Sequence, residues 1–198
     1  MYVTLGNHDG NLKNETRQDL ISPLLEAINS DKIFLMKKSG NYNLSVNNVT
    51  KANLAVFSCF DKENWQKCYP KNNKLPNIAL FHGSVNGCVV GENYLLQDPE
   101  VEMDLFEGYD FGLLGDIHKQ QFLGTRKDKN NIAKPWIGYA GSLIQQNFGE
   151  EKEKGYLLWN IVNKDEWDVE YVIIPNKYQF ITLNWQGNLD STFLNLVP

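Results

Sequence analysis

Four compact apolar runs constrain this chain more than any other feature: Ile33–Met36, Leu54–Cys59, Ile78–Phe81 and Phe111–Leu114, each between polar or turn-forming flanks. Runs of this kind predict strands buried on both faces, as in open α/β architectures. Trp136–Tyr139 and Tyr156–Ile161 read as further strands. Asp168–Ile174 and Tyr178–Leu183 alternate more clearly, as an antiparallel pair with one wet face does. From Asn14 the pattern turns helical, with Leu20, Ile21, Leu24, Leu25 and Ile28 on one stripe and Pro23 inside it, where a kink or subdivision is expected.

The 198 residues are 42% apolar and 12% aromatic with a formal net charge of −5, which is one ordinary domain's worth of core and argues against disorder. No window approaches the roughly 20 apolar residues of a membrane span, and Met1-Tyr2-Val3-Thr4 has no basic lead-in to a hydrophobic run. A soluble, intracellular protein with no membrane partner is expected. Three cysteines (Cys59, Cys68, Cys88) without close spacing argue against a disulfide framework or a C-x-x-C metal site; Cys59 and Cys88 read as packed thiols. Arg17 and Arg126 are the only arginines, so bidentate recognition of phosphate is scarce. A chain that handles phosphate with so little arginine needs another source of positive charge.

The histidines point to that source. There are three, and each follows an apolar β-prone run: His8 after Tyr2–Leu5, His82 after Ile78–Phe81, His118 after Phe111–Leu114. Strand ends form the ligand crevice of open α/β sheets, so one shared site is expected. Asn7 and Asp9 flank His8, while Asp116 and His118 stand two apart, on one side of an extended loop. Imidazole, carboxylate and amide oxygen together suit manganese, iron or zinc better than magnesium. The alternatives are local: an Asx turn with a helix cap for Asn7 and Asp9, a hydrogen-bonded strand-end histidine for His82, a turn residue for Asp116.

Gly6-Asn7-His8-Asp9, Phe81-His82-Gly83 and Gly115-Asp116-Ile117-His118 resemble, in order, the third, fourth and fifth motifs of the calcineurin-like metallophosphoesterases. Lys119, then Tyr139-Ala140-Gly141-Ser142-Leu143, Asn147-Phe148-Gly149-Glu150 and Lys154-Gly155-Tyr156 resemble the SbcD-type nuclease subunit of the double-strand-break repair complex. The resemblance implies an α/β fold, a two-sheet sandwich flanked by helices (αββα). It implies Asn7, His82 and, where the family usually has histidine, Asp116 as ligands of one divalent ion, with His118 on a second. It also implies His8 as the acid that protonates the leaving oxygen, with Asp9 orienting its ring. Manganese is the expected metal, DNA the substrate, and an SbcC-type ATPase the partner.

The family's first two motifs, Asp-x-His and Gly-Asp-x-x-Asp, normally precede Gly-Asn-His-Asp, and here Met1 stands five residues before Gly6. The expectation is a domain over residues 1–183 that is incomplete at its N-terminus, holds at most one ion well, and is impaired unless another chain supplies the missing motifs. Residues 184–198 read as a junction toward an absent cap domain. Two rivals stand beside the nuclease: a phosphomonoesterase or small phosphodiesterase of the same superfamily, and a non-catalytic assembly module that keeps the fold. The basic stretch Lys119, Arg126, Lys127, Lys129 and Lys134, opposed by Asp128, reads as a solvated loop or a phosphate contact.

Overall fold

A computed structural model of the chain describes residues 1–13, 18–91 and 94–181. The polypeptide runs β1 (Tyr2–Thr4), α1 (Ile21–Ile28), β2 (Phe34–Met36), β3 (Gly40–Val46), β4 (Val49–Phe57), β5 (Asn77–His82), β6 (Val89–Val90), β7 (Tyr94–Leu95), β8 (Phe111–Gly115), β9 (Gln121–Lys127), β10 (Ala133–Tyr139), β11 (Gly155–Asn163) and β12 (Glu166–Ile173). Two 3₁₀ turns, Lys62–Lys67 and Met103–Phe106, complete the described elements.

The centre is a six-stranded sheet ordered β3-β4-β5-β8-β10-β9. Its four inner strands are parallel, and β3 and β9 close the two edges antiparallel to β4 and β10. Side chains alternate between two cores. Ala55, Phe57, Ala79, Phe81, Leu114, Ile137 and Tyr139 face one side, under the 3₁₀ turns and Val85 to Val90. Leu54, Val56, Ile78 and Phe111 face the other, packed with Met36, Trp167, Trp159 and Tyr2. Burial on both faces explains the closed apolar runs of β4, β5 and β8. The first core is pinned by edge-on contacts among Phe57, Trp65, Phe81, Phe106 and Tyr109, with ring centroids 5.7–6.3 Å apart. Each such pair contributes about 0.5–1.5 kcal/mol beyond area burial.

The second layer is built from two separate strand pairs, the parallel β1-β2 and the antiparallel β11-β12. The architecture is therefore a β-rich sandwich, and of the expected flanking helices the described residues hold a single α-helix. Pro23 neither kinks nor divides α1. It is the third helical residue, within the first turn, where backbone N–H groups have no intrahelical partner to lose. Asn29, in the left-handed region (φ 45°), ends the helix by donating its N–H to Leu25 O.

Three further expectations are corrected. β2 is buried on one side only, since Phe34 is exposed and stacks on Tyr2 at 5.2 Å. The partner of β12 is β11, Tyr156 facing Val172 and Ile161 facing Trp167, whereas residues 178–181 form no strand. The stretch taken as a basic loop is largely strand, because β9 pairs with β10 from Lys127↔Ala133 to Gln121↔Tyr139. Asn14 to Arg17, Leu183 and the proposed junction 184–198 lie outside the described residues.

Candidate functional site

All four inner strands of the large sheet point the same way, and the chemistry gathers at their C-terminal edge. Asn7 arrives in the turn after β1, His82 is the last residue of β5, and Asp116 follows β8, whose Gly115 lies opposite His82 in the ladder. The Asn7 amide donates to Asp116 Oδ1 at 3.0 Å, and His82 Nε2 stands 3.2 Å from Asn7 Oδ1 and 3.4 Å from Asp116 Oδ1. Facing two oxygens, Nε2 is the protonated nitrogen of the ring as the site stands.

Two glycines make room for this imidazole. A Cβ on Gly6 would lie 2.6 Å from His82 Cε1, and one on Gly115 would lie 2.9 Å from its Nδ1. The Asp116 backbone is itself unusual, with φ at 91°, so the loop turns sharply where an extended course was expected. The His82 hydrogen bond, acting against partial burial and reinforced by Asn7, holds the Asp116 carboxyl below its ordinary range and hence ionised near neutrality.

The donor set fits a divalent cation as a partial site. Neighbouring donors around an octahedral ion with bonds of about 2.1 Å stand about 3.0 Å apart, and His82 Nε2 lies a little farther than that from Asn7 Oδ1 and Asp116 Oδ1, at 3.2 and 3.4 Å. One imidazole nitrogen, one carboxylate and one amide oxygen match a borderline divalent metal. Among the described residues no group of three or more His, Cys, Asp or Glu side chains could hold a metal ion, so a site here would need the Asn7 amide oxygen as its third donor.

The other expected residues are placed differently. His118 turns to Glu150, its Nδ1 2.9 Å from Oε1, yet it lines with Asp116 a cavity of about 310 Å³ that also touches Lys119, Asn147 and Lys154. Exposed His8 lines a separate depression with Gly10, Asn11, Gln18 and Leu20, and no side-chain hydrogen bond reaches it among the described residues. Asp9 does not orient that ring. Its carboxylate accepts the Gly6 N–H at 2.7 Å and its own N–H donates to Gly6 O, which clasps the Gly6–Asp9 turn.

Most of the basic stretch is engaged within the fold. Arg126 stacks over Phe111 and Trp167 at 5.1 and 4.6 Å and faces Asp110 at 3.6 Å. Lys129 pairs with Glu166, Lys134 with Asp128 and Lys119 with Glu151. The side chain that organises the His118 loop is Glu150, with Lys154 four residues on. Both stand in the motif-like stretch, but nothing local in the sequence assigns them to His118.

No family model matches the chain. Over 188 residues it is 34% identical to an uncharacterized protein of Acanthamoeba polyphaga mimivirus, an alignment that covers 90% of this chain and 13% of that protein. Over 170 residues it is 26% identical to the uncharacterized metallophosphoesterase YhaO of Bacillus subtilis, covering 83% of this chain and 38% of that one. The chain thus spans well under half the length of either relative. The Bacillus likeness supports the calcineurin-like superfamily and no finer group. No helix among the described residues is long and apolar enough to cross a membrane.

Proposed function

We propose that the chain carries part of the catalytic site of a divalent-metal-dependent phosphoesterase, and that its substrate is a DNA phosphodiester. The observation that carries the reading is the meeting of Asn7, His82 and Asp116, from three strand ends, within 3.0–3.4 Å of one another. Asn7, His82 and Asp116 would hold the ion, and His118 would belong to a second position. When bound, such ions neutralise the phosphoryl oxygens and lower the pKa of water. In the protein's own part of the chemistry, Asp116 contributes fixed negative charge, and the Gly6 and Gly115 backbone holds the His82 ring in place. The exposed His8 imidazole is free to give a proton to the leaving oxygen.

The DNA assignment, and with it manganese and an SbcC-type ATPase partner, draws on the Gly-Ser-Leu and Phe-Gly-Glu stretches. In the fold these wrap the loop that carries His118: Ser142 N–H donates to His118 O at 3.2 Å and Glu150 takes the ring.

Titration calorimetry with Mn²⁺ on the chain and on His82→Ala tests the core of the reading, with about one ion expected per chain and none in the variant. Absence of binding at millimolar Mn²⁺ removes the phosphoesterase reading. Cleavage of an aryl phosphate but not of linear DNA by the Mn²⁺-loaded protein removes the DNA assignment alone.

A further inference from the structure

The loop after β10 converges on a single carboxylate. Glu150 receives His118 Nδ1 on Oε1 at 2.9 Å and the Asn147 amide on the same oxygen at 3.0 Å. Its other oxygen takes Lys154 Nζ at 2.8 Å, the Gln146 N–H at 3.1 Å and Ser142 Oγ at 3.3 Å. Five donors on one carboxylate, itself 8% exposed, leave it little freedom to rotate. Lys154, 4% exposed, ties the arrangement to the backbone by also donating to His118 O at 3.0 Å.

With the Lys154 ammonium and four further donors on its two oxygens, the Glu150 carboxylate accepts from His118 and does not donate to it. The geometry therefore assigns Glu150 as a positioning residue that fixes neutral His118 as the Nδ1–H tautomer and turns its unprotonated Nε2 to the cavity shared with Asp116, ready to take a divalent cation. The cation's presence rests on the phosphoesterase reading; the tautomer does not. The carboxylate sets the ring's tautomer and orientation, and Lys154 balances the buried charge that this requires. A lone solvated histidine would favour the opposite tautomer, so the assignment has a signature distinct from mere loop stability.

The test is nitrogen-resolved NMR of histidine-labelled protein at a pH where the rings are neutral, with His8→Gln and His82→Gln variants used to assign the signals. His118 is expected as the Nδ1–H form in the unaltered chain, and an Nε2–H form there overturns the proposal before any variant of Glu150 is made. Glu150→Gln, whose amide can donate as well as accept, is expected to give a mixture of His118 tautomers, read in the same spectra. Glu150→Asp, one methylene short of the ring, tests the same loss where the amide variant folds poorly. Gln145→Ala, which removes a bond to the Glu150 backbone carbonyl and leaves its carboxylate alone, is expected to leave the tautomer unchanged. Equal tautomer ratios in the unaltered chain and Glu150→Gln overturn the assignment. An Nδ1–H ring in a chain that binds no Mn²⁺ leaves it standing and removes the phosphoesterase reading instead.

Discussion

Two missing methyl groups decide where the His82 ring lies. Gly6 and Gly115 flank the imidazole so closely that an added Cβ at either would stand within 3 Å of it, with backbone behind it on each side. The ring would have to move by several tenths of an ångström, away from Asn7 Oδ1 and Asp116 Oδ1. Gly115→Ala is therefore expected to cost about 1–3 kcal/mol of stability, the range for overpacking a filled site, and to weaken Mn²⁺ binding alongside. Chemical denaturation paired with calorimetry checks both, and unchanged binding would show that the ring's position is not what the glycines set. Residue types at this scale are legible in the sequence, since Asn7, His82 and Asp116 each follow a β-prone run. Their exact use is less so. The left-handed backbone of Asp116 has no local marker, and Glu150 lies 32 residues from His118 with no pattern joining them.

Among the elements, α1 shows a carboxylate holding several parts of the chain together. Asp19 accepts the N–H groups of Ile21 and Ser22 at 3.0 and 2.6 Å, the Ser22 hydroxyl at 2.8 Å and Lys37 Nζ at 2.5 Å, so it caps the helix and anchors the loop after β2. Burial pushes the Asp19 carboxyl up, but the Lys37 and Ser22 bonds prevail and hold it well below the usual carboxylate range. A group whose pKa is depressed on folding adds stability above its unfolded value, near pH 4, and that contribution drains away as pH falls below it toward the folded value. Asp19→Asn is expected to be less stable at pH 7 by about 0.5–2 kcal/mol, with the gap to the unaltered chain narrowing below about pH 4. Thermal unfolding across pH 2–7 measures this, and a gap that widens in acid would contradict the assignment. Elements whose burial is local are the ones the sequence discloses: β4, β5 and β8 are closed apolar runs. Strands β3 and β9 are harder to see, because they are sheet edges. Asn41, Asn43, Arg126 and Lys127 fit such an edge, and their pairing is set by partners elsewhere in the chain.

At the scale of the whole molecule the two faces of the large sheet are unequally finished. One is closed by aromatic packing, while the other is covered by two separate strand pairs, of which β1-β2 is a parallel ribbon three residues long. Parallel strands ordinarily lie deep inside larger sheets, and a pair this short contributes little stability by itself. Leu20, Leu24 and Ile28, on α1 and at its start, form a stripe at i, i+4 and i+8 with 66, 59 and 59% of their surface exposed, and Phe34 on β2 is 51% exposed. Covering an apolar side chain of this size is worth about 1.5–3 kcal/mol, so the stripe offers several kcal/mol to whatever hides it. The chain by itself is expected to bind an apolar dye and to associate with rising concentration through this stripe. Leu24→Lys together with Ile28→Lys should weaken that association at least tenfold, while leaving the circular dichroism and the Asn7–His82–Asp116 contacts intact, because α1 buries none of its residues in the core. Sedimentation velocity across a concentration series reads the effect directly. Unchanged sedimentation of the double variant would mean that the apolar surface of β11, where Leu158 and Val162 are 48 and 63% exposed, governs association instead.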